Sequence, residues 1–142
     1  MASLSLRRAR TIIRKTLEEG RKQEMKPLSV IVLDDGGNIL AFEREDGAAP
    51  GRFSIAQAKA YGAVMLGMAG TAQMARAEAQ AYFIAAANGA YGGQLIPVPG
   101  GILVRDAKGK IVAAVGVTGD TSDNDAAAGK AGVEAAGLSA EI

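Results

Sequence analysis

The sequence predicts an α+β fold, and three observations carry that expectation. Two pairs of short apolar segments, Leu28 to Leu33 with Ile39 to Glu43 and Gly101 to Val104 with Ile111 to Val117, are each joined by a polar, glycine-containing turn and read as β-hairpins. A long alanine-rich stretch at helical spacing separates the two pairs. One helical pattern precedes the first hairpin and another follows the second. Strand pairs with helices gathered between and around them suit an antiparallel sheet covered by helices better than alternating strand–helix units do.

In chain order, Leu4, Leu6, Ala9, Ile12, Ile13, Thr16 and Leu17 recur at helical spacing with arginines between them. Ser5 to about Arg21 should therefore be an amphipathic helix, with Gly20 marking its fraying end. Asp34-Asp35-Gly36-Gly37-Asn38 is a strong hairpin turn, so its adjacent carboxylates are explained by turn chemistry. Arg44 to Arg52 has no periodicity and is expected as a loop, with Asp46-Gly47 a turn. Ser54 with Gln57 forms a capping-box pattern opening a helix that closes at Gly67 and Gly70. Thr71 to about Asn88-Gly89 reads as a second helix, and both are alanine-rich, which lets helix backbones approach closely. Ala90 to Pro97 is a flexible approach to the second hairpin. Ser122 is expected to cap the last helix, Asp123 to Ala136, with Asp125 completing its capping box. Gly129 and Gly132 inside that helix cost roughly 1 kcal/mol each relative to alanine, which points to tight packing or a weak helix. The last few residues should fray.

The composition narrows the chemistry. With 142 residues and 49% hydrophobic content, the chain suits one globular domain over residues 1–142 and has no room for two ordinary ones. Only three phenylalanines, three tyrosines and no tryptophan leave few large core fillers, so small smooth faces buried against another subunit are expected, and with them a homo-oligomer. A formal charge of +1 gives no support for a nucleic-acid partner. Basic residues crowd the amino-terminal helix, from Arg7 to Lys26, and read as a solvated face or as a contact with an anionic surface. The chain has no histidine and no cysteine, which excludes disulfides, thiolate nucleophiles, histidine bases and Cys/His zinc sites. No run of about 18 apolar residues and no apolar leader segment is present, so neither membrane insertion nor export is expected and the cytoplasm is the default.

The ordered set Asp34-Asp35-Gly36-Gly37, Glu45-Asp46-Gly47-Ala48, Pro97-Val98-Pro99-Gly100-Gly101 and Gly116-Val117-Thr118-Gly119-Asp120 through Asp123-Asp125, with the helix opening Ser54-Ile55-Ala56-Gln57, resembles the GlcG/HbpS family. That group comprises haem-binding and haem-degradation-associated proteins and includes the carboxy-terminal domains of PduO-like proteins. The similarity runs from Leu4 to Gly137. It implies a profilin-like α+β domain with a five-stranded antiparallel sheet, assembled as dimers up to octamers. It also implies haem or corrinoid binding and a link to small-molecule catabolism. Histidine ligation of haem iron is not available to this chain, and substitute axial ligands would be Tyr61, Tyr82, Tyr91, Met65, Met68 or Met74.

The residues themselves offer one composite site. If the sheet brings its loops to one end, Arg44 and Arg52 can hold the carboxylates of a small ligand or of a tetrapyrrole, with backbone donors from Gly100, Gly101 and Gly119 and packing from Tyr61. An arginine such as Arg52 is more often a solvated or interface residue than a ligand clamp. An alternative is a cofactor-independent enzyme, an isomerase, lyase or hydrolase acting on a small carboxylated or ring-derived substrate. Asp120 or Asp46 would then transfer the proton and Arg52 would anchor the substrate. Asp120, Asp123 and Asp125 lie close in sequence, but the spacing lacks a calcium-loop pattern and helix capping explains them, so no metal site is assigned. Lys59 and Lys130 are ambiguous, because a functional lysine needs burial or charged neighbours. Gly116 to Gly119 is neither a dinucleotide fingerprint nor a phosphate-binding loop.

Overall fold

The computed structural model describes residues 3–142. Helix α1 (Leu6–Lys22) opens as the sequence expects, with the Ser5 hydroxyl accepting from the Arg8 N–H at 3.2 Å. Its buried stripe is Ala9, Ile12, Ile13, Thr16 and Gly20. Gly20 is therefore not a fraying end. An added Cβ there would stand 2.6 Å from Leu28 Cδ1, so the glycine admits the first strand's leading side chain.

The strands β1 (Ser29–Asp34), β2 (Ile39–Arg44), β3 (Gly101–Arg105), β4 (Ile111–Thr118) and β5 (Ser139–Glu141) form one antiparallel sheet in the order β2-β1-β4-β3-β5. The fold is α+β. β5 corrects the expectation of a frayed tail. It pairs with β3, where Arg105 holds Glu141 at 2.8 Å. A three-residue strand has no legible periodicity of its own and is fixed by a partner far away in sequence.

Alternation of side chains divides the sheet into two cores. Val30, Val32, Ile102, Val104, Val115 and Val117 face α1 and α5 (Ser122–Ala135) together with Ile12, Ile13 and Val133. Gly129 and Gly132 are the contact points. A Cβ at Gly129 would collide with Ile102, and one at Gly132 with Thr16 and Ile12, so the tight-packing reading of these glycines holds. On the opposite face Ile31, Leu33 and Ala114 pack against Ala56 and Ala60 of α2 (Arg52–Leu66). There Gly116 has no room for a Cβ beside the Ala56 carbonyl, and Gly101 none beside that of Lys59. The alanine face of α2 lies directly on the sheet backbone.

Three helix boundaries differ from the sequence reading. α2 starts at Arg52, two residues before the expected cap at Ser54, and Gly51 precedes it without a capping side chain. The expected second insert helix is two, α3 (Gly70–Ala79) and α4 (Ala81–Ala90), broken at Gln80 with φ −143 and ψ 69. No glycine or proline signals that break. Local side-chain contacts span it instead: Arg76 bonds Gln80 Oε1 at 2.7 Å and lies 4.2 Å from the Phe83 ring centroid. Finally, α5 is capped by Thr121, whose hydroxyl accepts from Asn124 N–H at 3.2 Å, and not by Ser122. Among the described residues no helix is long and apolar enough to cross a membrane.

Candidate functional site

Antiparallel register carries Arg44, Ser29 and Thr118 into one row at the end of the sheet opposite the hairpin turns. The first turn of α2 lies over that row. Arg52 Nη1 donates to Thr118 Oγ1 at 2.8 Å. Two turns further along α2, Lys59 reaches beneath, donating to the Val117 carbonyl at 3.0 Å and to Asp125 Oδ2 at 3.1 Å. This ion pair is sealed, its side chains only 4% and 2% exposed. Gly100 makes room for it: a Cβ there would stand 3.0 Å from Lys59 Nζ.

Asp125 is thus not the capping-box residue the sequence suggests. Its second oxygen accepts from the Asp120 N–H at 2.9 Å, so the carboxylate ties the entry of α5 to α2. Burial pushes the Asp125 carboxyl up, against the opposing pull of the Lys59 charge and the Asp120 N–H. Burial likewise pushes the Lys59 ammonium down, with Asp125 opposing and the nearby Arg52 charge adding to the downward shift. The sequence carried one sign of this pair. Lys59 is a lone charge among Ala56, Ala58, Ala60 and Gly62, the small residues of an alanine-rich helix.

Asp120 is half-buried, and three donors surround it: Lys26 N–H at 2.8 Å, Thr121 N–H at 2.8 Å and Asn124 Nδ2 at 2.7 Å. The Lys26 N–H leads these in holding its carboxyl down to about 2. It clasps the α1–β1 connection to the start of α5. Asp46 is exposed in a turn closed by Ala48 N–H to Glu45 O at 3.1 Å. Glu45, its neighbour in the first loop, is the busier carboxylate, accepting from Leu28 N–H at 2.6 Å and from Arg21 Nε at 3.1 Å.

The residues singled out from sequence therefore fall into separate places. Arg52, Gly100, Gly101 and Gly119 surround the Lys59–Asp125 pair, and the three glycines serve as close approaches, Gly119 against Pro27 and Leu28. Arg44 and Asp46 line a different hollow of about 450 Å³ with Arg21 and Pro27. Tyr61 is about 13 Å along α2 from Arg52. It stacks edge-on with Tyr91 at 6.3 Å and packs by the Gly37 turn. Among the described residues no three of His, Cys, Asp or Glu cluster as a metal site, and Asp120 and Asp125 are turned to protein donors.

A further hollow, about 770 Å³, is one the sequence did not disclose. It lies along α1, with Leu17, Ala131 and Ala135 as its apolar part and a charged lining of four basic residues and the carboxylates Glu18, Glu19 and Glu43, in which Glu18 pairs with Arg14 and Lys15. It shares Leu17, Arg21 and Glu43 with the hollow that Arg44 lines. Only the packing of α5 on α1 brings these residues together. The basic face of α1, readable from sequence as a solvated face or as a contact with an anionic surface, borders this hollow.

A family model described as "Haem degrading protein HbpS-like" matches residues 4–134. No curated protein matches the chain. Among solved structures, PduOC in a haem complex is similar at a TM-score of 0.85 and 18% identity, with 96% of each chain covered. A double mutant of HbpS from Streptomyces reticuli is similar at 0.79 and 29% identity, over 94% of this chain and 87% of that one. The ORFY protein of Klebsiella pneumoniae is similar at 0.83 and 22% identity, over 96% and 92%. Identities of 18% and 22% speak to the fold alone. The family match spans most of the length, and the chain belongs to the HbpS-like family.

Proposed function

We propose that this protein binds a carboxylate-bearing tetrapyrrole by apolar contact and ion pairing, without an axial ligand from the chain. The observation that carries the reading is the hollow of about 770 Å³, whose size is that of ordinary small-molecule sites and whose apolar surface is bordered by four basic side chains alongside Glu18, Glu19 and Glu43. Family membership and a haem-complex relative of the same fold supply the ligand class. Leu17, Ala131 and Ala135 would carry the planar body, while Lys22 and, at the adjoining hollow, Arg44, neither of them in an ion pair among the described residues, would meet its carboxylates.

The residues present fit the porphyrin and not its iron. The hollow is lined by no tyrosine or methionine, and the chain has no histidine or cysteine. Bound haem would supply a redox-active iron whose axial positions are left to other ligands. The chain itself would hold the macrocycle and shield one face from water. A homo-oligomer belongs to the same reading, supported by Tyr82, 73% exposed on the uncharged helix α4, and by exposed Ile39 and Leu6. The link to catabolism rests on resemblance alone. The enzymatic alternative is less favoured, because donors hold Asp120 at about 2, where it is a weak proton acceptor near neutrality.

Titration with ferric haem tests this. A saturable Soret change is expected, abolished by Ala131→Glu, weakened about tenfold by Arg44→Ala as for loss of a charge-assisted bond, and unchanged by Tyr61→Phe. A response indifferent to Ala131→Glu would exclude the hollow.

A further inference from the structure

We infer that the amino-terminal end of α2, with Arg52, Thr118 and Ser29, is a second binding site, for the carboxylate group of a small acid with an apolar body. It lies apart from the tetrapyrrole hollow and does not depend on that reading, since none of its residues lines the hollow.

Three independent features converge. First, α2 begins with uncompensated positive charge. Gly51 provides no capping side chain, no acid stands in the first turn, and Arg52 occupies it. A helix start already favours an anion through its free N–H groups and dipole, so a cation there without a counter-ion leaves that demand unmet. α5 is the internal contrast, capped by Thr121 and carrying Asp123 and Asp125 in its first turn. α3 and α4 also lack capping side chains, but neither has a cation in its first turn.

Second, Arg52 makes no ion pair among the described residues. Its one side-chain bond is Nη1 to Thr118 Oγ1, which orients the guanidinium and leaves its other donors for a ligand. Third, Ser29 Oγ is fully buried with no hydrogen-bond partner. Buried hydroxyls are ordinarily satisfied, so an orphan marks a missing partner. Ser29 is the direct cross-strand neighbour of Thr118, on the same sheet face, and their Cβ atoms are therefore about 5 Å apart. The orphan hydroxyl therefore lies on the sheet face that α2 covers, beside the threonine that holds the guanidinium.

One carboxylate answers all three. One oxygen accepts from the Arg52 guanidinium and the other from Ser29 Oγ–H, near the α2 N-terminal N–H groups. Phe53, stacked edge-on against Phe42 at 4.9 Å, provides the neighbouring apolar surface and selects an acid with a hydrocarbon body. Lys59 lies behind as a fixed positive charge already paired with Asp125.

Sodium benzoate is the probe, titrated into the full chain labelled with nitrogen-15, at constant ionic strength set with chloride and without porphyrin. Saturable shifts are expected in the Phe53 and Ser54 amides and in Arg52 Nε–H. Arg52→Gln should abolish them, and Ser29→Ala should raise the dissociation constant about tenfold, the ordinary effect of losing a hydrogen bond to a charged group. Ser29→Ala must keep the wild-type thermal midpoint for its result to count; Thr118→Val, which removes the group orienting Arg52, serves as the second variant and should weaken benzoate likewise. No saturation, shifts that survive Arg52→Gln, or saturation by inorganic phosphate in place of benzoate would overturn the assignment. Porphyrin binding, lost through Ala131→Glu and not through Arg52→Gln, keeps failure of this site distinct from failure of the first.

Discussion

The two ends of the sheet use the same residue types to opposite effect. At the hairpin end, Asp34 Oδ1 accepts from the Gly36 and Asn38 N–H groups and Asp106 Oδ1 from those of Lys108 and Lys110, all at 2.9 Å. Gly37 and Gly109, at φ +84 and +82, complete the same turn twice. Burial acts to raise the Asp34 pKa, but the Asn38 and Gly36 N–H groups and the Asn38 side chain outweigh it and hold it low. Each carboxylate there is satisfied within five residues of chain. At the other end Asp120 reaches Lys26, and Asp125 reaches Lys59 across 66 positions. Aspartate and glycine close loops at one end and join distant elements at the other.

Breaking the distant pair should have the largest effect. Lys59→Met leaves Asp125 buried without its counter-ion and should cost about 3–5 kcal/mol of unfolding free energy in urea. Adding Asp125→Leu to that variant should recover much of the loss, because two apolar groups need no pairing. A double variant as unstable as the single one would mean that the pair contributes more than mutual neutralisation. Next in size is Gly116→Ala, which forces a methyl group onto the Ala56 carbonyl and should cost about 1–3 kcal/mol while lowering the thermal midpoint.

The hairpin end should be more forgiving. Asp106→Ala removes bonds made in solvent, so about 1 kcal/mol is expected from chemical denaturation, with no change in ligand titrations. The smallest effect near neutral pH belongs to Asp120→Asn, whose consequence is a changed acid profile. The folded carboxyl sits near 2 against an ordinary 3.8, so the unfolded chain binds more protons between those values. Its stabilisation is complete above 3.8 and is lost as pH falls through about 2. Stability of Asp120→Asn should therefore fall less steeply over that interval than that of the parent protein.

The same contrast explains what could be read from sequence. The α1 stripe, both hairpins and the α5 glycines were legible because local spacing or local turn chemistry determines them. Thr121 displaced Ser122 as a cap by one residue, within the ordinary imprecision of helix ends. Lys59 and Asp125 were each visible and each misjudged or left open, since neither has meaning until α2 and α5 meet across β4. Gln80 carried no breaker signal, and β5 was too short to show a period. The α1 hollow was hidden for the same reason: Leu17 and Ala131 are 114 positions apart, and no local pattern joins them.

The most direct test of the central claim compares metal-free mesoporphyrin with its dimethyl ester by fluorescence titration. If the chain holds a tetrapyrrole by its carboxylates and apolar body, the free acid should bind saturably without iron, lose affinity with added salt and with Ala131→Glu, and bind at least tenfold more tightly than the ester. Equal binding of acid and ester, or binding that appears only when iron is present, would contradict it.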